Sequence, residues 1–222
     1  MAGTKTLEDI QLIIEDIGGG GGRNLPPGDG GGDDENKRPQ RGPVSPRRYF
    51  TALSLAMVSI LMFFMALASA YVVRRGSGGD WIPFYFPQIL WANTIILLGS
   101  SAAVEVARRR LATGDARAFG KWWLVATALG LAFLAGQLVA WRQLVAHGFF
   151  MASNPASSFF YIFTGAHAAH LLGGVGALLY VLLGRFENRK LTRQTAAQVT
   201  AYFWHFLDVL WIFLLALFVA GK

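Results

Sequence analysis

Apolar runs of about 20 residues, each enough to cross roughly 30 Å of hydrocarbon as a helix, dominate the chain after residue 49. Short polar breaks divide them into five stretches, at about 50–73, 88–107, 122–141, 159–183 and 199–220. The expected fold is all-α: a polytopic membrane protein with five transmembrane helices. The connections are short, which makes sequence neighbours antiparallel and packed. Residues 1–48 read differently. Leu7, Ile10, Ile13, Ile14 and Ile17 recur at helical spacing, and Thr6 with Asp9 has the form of a capping box. One short amphipathic helix over 6–17 fits this pattern, and so does a frayed terminus. Residues 18–48 carry five consecutive glycines, a second glycine cluster and prolines at 26, 27, 39 and 43. Such a stretch cannot offset the entropy of ordering and reads as a linker. The expected division is a tail over 1–48 and a membrane domain over 49–222. A cleavable signal peptide is not expected, because a long acidic segment precedes the first apolar run.

Composition sharpens this picture. Only 15% of the 222 residues are charged, against about 25% in a soluble domain. Eight of the 13 acids fall in residues 1–48. The formal charge of +7 does not indicate nucleic acid, because the basic residues sit in the breaks between apolar runs and report topology there. Of 20 Lys and Arg, 16 lie in the tail, the second break and the fourth break. That asymmetry places the N-terminus in the cytoplasm and the C-terminus outside. Tryptophans 81, 122, 123 and 141 fall near the expected interfaces, where aromatic anchors gather. The aromatic, proline-rich stretch 81–87 is expected to lie at the lipid surface. Cysteine is absent, which excludes disulfides and thiolate metal sites.

Candidate chemistry rests on the few polar groups inside the spans. Glu105 and Asp208 are the acids there, with His167, His170 and His205. His205 and Asp208, like His167 and His170, are three residues apart and share a helix face. Helical rise sets these groups on a ladder with steps of about 4–6 Å, and antiparallel fourth and fifth helices bring His170 toward Asp208. Three readings compete: a haem or metal site, a proton path, and structural contacts that fix helix register. The third is preferred. Gln137 should bond to a neighbouring helix. Gly165, Gly173, Gly174 and Gly176 are expected to let the fourth helix pack tightly.

The last span, with Tyr202, Trp204, His205, Phe206, Asp208 and Trp211, resembles the final helix of subunit III of haem-copper terminal oxidases, the cytochrome c oxidase type. Thr164, Gly165, His167, His170 and Gly173 are similar to a second motif of that family, and Asn93, Thr94, Ser100, Ser101 and Glu105 to a third. The resemblance covers residues 49–222 and corresponds to the short five-helix bacterial form. Two family carboxylate positions are replaced here, by Ile60 and Ala140, which counts against a proton path.

The resemblance implies an accessory subunit without catalytic, cofactor-binding or metal-binding residues of its own. Haem and copper are then expected in subunits I and II. This chain would pack on subunit I, bind phospholipid and support proton uptake during aerobic electron transport. The alternatives are the homologous subunit of a quinol oxidase or nitric oxide reductase and, from a different class, a stand-alone proton-coupled transporter. The lack of an inverted repeat and of broken midplane helices argues against the transporter.

Overall fold

The computed structural model describes residues 46–77, 79, 88–151, 154–184 and 192–221. All belong to one compact unit, Gly42–Lys222. The amphipathic helix expected over 6–17, the glycine-rich stretch and the loop at 81–87 lie outside the described residues.

Five α-helices make up the unit: α1 (Pro46–Ser77), α2 (Ile89–Ala112), α3 (Ala116–Ala146), α4 (Pro155–Leu183) and α5 (Arg193–Ala220). All five are long and apolar enough to cross a membrane. They outrun the expected spans because caps, and not hydropathy, end a helix. Asp115 caps α3 by accepting from Ala118 N at 3.0 Å. Asn154 caps α4 from Ser157 N at 3.0 Å, with Pro155 in the first turn, where no intrahelical N–H is required. Thr192 caps α5 from Thr195 N at 3.2 Å. Gly114 turns the chain between α2 and α3 at φ 81°, a conformation that side chains with a Cβ resist.

Cross-helix contacts set the directions. Ser100 of α2 bonds Ala126 of α3, and Trp141 and Trp123 of α3 reach Thr164 and Leu178 of α4. Thr94 and Ser101 of α2 meet Trp211 and His205 of α5. In every pair the residue numbers run in opposite directions, so α2, α3, α4 and α5 form an antiparallel ring. α1 lies outside it, on α4 and α5. Phe64 and Tyr71 of α1 pack against Phe163 of α4, and Tyr71 also against Phe218 of α5. Only 6% of the most apolar stretch of α1 is buried, against 33–44% in the other helices.

The ring is drawn together at two glycines that face one tryptophan. A Cβ on Gly130 of α3 would stand 2.7 Å from Trp204 Cη2, and one on Gly174 of α4 would stand 3.0 Å from Trp204 Cε3. Trp204 of α5 is thereby closed in, with none of its surface exposed. Gly136 of α3 gives way in the same manner to the amide of Asn93 on α2. Of the four glycines of α4 expected to allow tight packing, this chain's own side chains close in on one. That one is Gly174, whereas a Cβ on Gly165, Gly173 or Gly176 would meet nothing within 4 Å.

Candidate functional site

The polar groups inside the bundle come to rest on separate seams. On the α2–α5 seam, Ser101 Oγ and His205 Nδ1 are hydrogen-bonded at 2.5 Å. His205 Nδ1 also stands 3.9 Å from Asp208 Oδ2, an ionic distance but too long for a hydrogen bond. The Asp208 side chain is 5% exposed, and neither of its oxygens has a hydrogen-bond partner. The His205 side chain, one turn away, is 37% exposed. A polar ring is thus partly open to the bilayer beside a closed-in carboxyl group.

His167 and His170 separate. His167 points into the ring, fully buried, with its imidazole 5.2 Å from the Trp211 ring and 6.1 Å from Phe133. Neither of its nitrogens has a partner. His170 turns the other way: its Nδ1 is 2.7 Å from Ala166 O, and its ring packs 5.7 Å from Phe64 of α1. The anticipated approach of His170 to Asp208 does not occur, because three residues along a helix rotate a side chain by about 60°. That angle is enough to send the two histidines to different neighbours.

Glu105 is held within α2. Arg108 grips both its oxygens at 2.9 Å, and Arg109 Nε reaches Oε1 at 2.8 Å. The three side chains form a local charge cluster near the end of the helix and not a rung toward Asp208. Gln137 lies on α3, 2% exposed, with both amide atoms unpartnered; the cross-helix bond expected of it is absent. Ala140, three residues on, is fully buried, and Ile60 packs against the edge of the core. Among the described residues, no three His, Asp or Glu side chains come together as a metal site. The three intramembrane histidines face Phe133 and Trp211, Ala166 and Phe64, and Ser101. They do not converge on a shared point.

Indole donors were the groups missed from the sequence. Trp123 Nε1 donates to Leu178 O at 2.9 Å, Trp141 Nε1 to Thr164 Oγ1 at 3.0 Å and Trp211 Nε1 to Thr94 Oγ1 at 3.0 Å. Each bond joins two helices. Trp123 is expected at the membrane interface with Trp122, yet none of Trp123 is exposed, whereas Trp122 is 41% exposed. The double tryptophan splits because successive residues on a helix point about 100° apart.

Residues 49–220, which take in nearly all of the five helices, match the family model for cytochrome c oxidase subunit III. The chain belongs to the cytochrome c oxidase subunit III family. Cytochrome c oxidase subunit 3 of Corynebacterium diphtheriae is 38% identical over 161 residues, covering 68% of this chain and 78% of that protein. The probable cytochrome c oxidase subunit 3 of Mycobacterium leprae is 34% identical over 159 residues, covering 69% and 78%. Cytochrome c oxidase subunit 3 of Thermostichus vulcanus is 30% identical over 176 residues, covering 74% and 83%. The three motifs on α2, α4 and α5 all fall within the residues that match subunit III. In space they supply the seams of the ring: Thr94 and Ser101 meet the α5 motif, and Thr164 binds α3. Subunit III membership and five apolar helices make this a multi-pass membrane protein that works in a complex with other oxidase subunits.

Proposed function

We propose that this chain is the accessory, cofactor-free subunit III of a respiratory haem-copper oxidase of the cytochrome c oxidase type. It packs on subunit I, with subunit II in the same complex, in the inner membrane of a bacterium. Its N-terminus faces the cytoplasm, because Arg47, Arg48, Arg108, Arg109, Arg110, Arg117 and Arg193 gather at one end of the bundle. Haem and copper belong to the partner chains.

The observation that carries this reading is the α2–α5 seam. His205 is 37% exposed beside the buried, unbonded Asp208, at a depth where polar groups almost always face protein or a water-filled cavity. A partner surface that covers His205 completes this seam. A phospholipid supplies the remaining cover for the apolar surface of α1. Support of proton uptake is then indirect: the chain holds the catalytic subunit in its working shape and carries no proton itself. Glu105 is already neutralised by Arg108 and Arg109, and Ile60 and Ala140 cannot ionise.

Deleting the gene and restoring it on a plasmid tests the proposal. The expected result is a lower level of subunit I, and an oxidase that loses oxygen uptake during continuous turnover faster than the restored strain. Unchanged subunit I and an unchanged rate of inactivation would refute it.

A further inference from the structure

Gln137 of α3 and His167 of α4 are polar side chains that the reading above leaves without a task. Gln137 is 2% exposed and His167 not at all. Neither the amide atoms of the one nor the ring nitrogens of the other have a hydrogen-bond partner. Both residues lie inside apolar spans, where an unsatisfied polar group is costly.

The neighbours of Gln137 bring the two to one place. Trp141, four residues after it, bonds Thr164 of α4 at 3.0 Å. Phe133, four residues before it, meets the His167 ring edge-on at 6.1 Å. Residues four apart stack on one face of a helix. Gln137 is therefore held between two side chains that both meet α4, one at Thr164 and the other at His167. The register agrees. The helices are antiparallel, so four residues back from Trp141 match four residues forward from Thr164. That step ends at residue 168, about 1.5 Å along the axis from His167.

The chemistry of the site narrows what can satisfy it. The amide atoms and the ring nitrogens are closed off from the surface, so a lipid or a polypeptide that docks on the outside does not reach them. An amide offers both donors and an acceptor, and a neutral imidazole offers one of each. The occupant must be small enough to lie inside the bundle, and it must donate and accept together. Water does both, and buried polar groups without a protein partner are where internal water resides.

We infer that the interior of the bundle holds a water-binding site between α3 and α4, in which at least one water molecule bridges the Gln137 amide to a ring nitrogen of His167. The bridge stands in for the direct cross-helix bond that Gln137 lacks. It extends the line of polar links between these helices that Trp141–Thr164 and Trp123–Leu178 make directly. The site belongs to this chain's own interior and needs no partner subunit.

Electron cryomicroscopy of the protein in its native assembly, at a resolution that shows other internal waters, tests it. The expected result is a density peak about 2.7–3.2 Å from both a Gln137 amide atom and a His167 ring nitrogen. A direct bond between the two side chains, or apolar packing around both with no such peak, would overturn the inference. Thermal midpoints of Gln137→Leu, His167→Leu and the double variant give a second reading. Either single change leaves the other group and the water without a partner, and the double change removes all the polar atoms. The loss in the double variant should therefore be smaller than the sum of the two single losses. Losses that add would overturn the shared site.

Discussion

Gly130→Ala adds one methyl group where the ring has no space for it. The new Cβ would lie 2.7 Å from Trp204 Cη2 and 2.9 Å from Cζ2. The indole is rigid, and it lies so close to Gly174 that a Cβ added there would stand 3.0 Å from it, which leaves it little room to retreat. Relief requires α3 or α5 to move, and overpacking of this kind costs about 1–3 kcal/mol. Gly173→Ala is the matched control: the same substitution in a helix, at a site where the Cβ meets nothing within 4 Å. Both variants gain the same helix propensity, about 1 kcal/mol, so the difference between them isolates the clash. At about 2–4 °C per kcal/mol for a chain of this size, a clash of about 2 kcal/mol puts Gly130→Ala about 4–8 °C below Gly173→Ala. The assay is the thermal midpoint of the purified protein in one detergent at one heating rate, read by size-exclusion chromatography with fluorescence detection. Trp204→Phe shortens the ring, so Gly130→Ala made in that background should cost less than half as much. Equal midpoints for the two glycine variants, or no relief from Trp204→Phe, would refute the wedge.

Asp208→Asn should assemble nearly as well as the wild type while Asp208→Leu loses complex, since Asn retains a polar end beside His205; subunit recovery after mild-detergent purification compares them. A loss of turnover in the Asn variant with assembly intact would contradict the structural role. Trp211→Phe removes the 3.0 Å bond to Thr94 and also opens space beside Phe133 and His167, so it should cost more than the about 0.6 kcal/mol mean for an interhelical hydrogen bond in a membrane, seen as a thermal midpoint lowered by several degrees. Glu105→Gln should leave oxygen uptake unchanged, because Arg109 is exposed, Arg108 and Glu105 are half-buried, and such near-surface pairs contribute about 0–1 kcal/mol; a large drop in proton pumping would restore Glu105 to a proton path.

The number of helices was legible because apolar runs separated by basic breaks have few other solutions. Rotation about each helix was not. In a membrane the outer face meets lipid and is as apolar as the inner face, so α4 shows no stripe to tell Gly174 from Gly173 or His167 from His170. The rotation is decided by the large side chains opposite. Trp204 selects Gly130 and Gly174, and Trp211 with Phe133 selects His167. The polar residues could be picked out singly, because each is rare in its surroundings. Their pairing could not, since His205 finds Ser101 on a helix more than a hundred residues earlier. The indole bonds of Trp123 and Trp141 stayed hidden for another reason: tryptophan near a span end reads equally well as an interface anchor.

Purification of the tagged native chain in mild detergent, with a reduced-minus-oxidised spectrum and identification of the accompanying chains, tests the central claim most directly. The account predicts a haem-containing eluate with the larger oxidase subunits, in which haem is lost when those subunits are stripped away. A chain that purifies alone and colourless would contradict it.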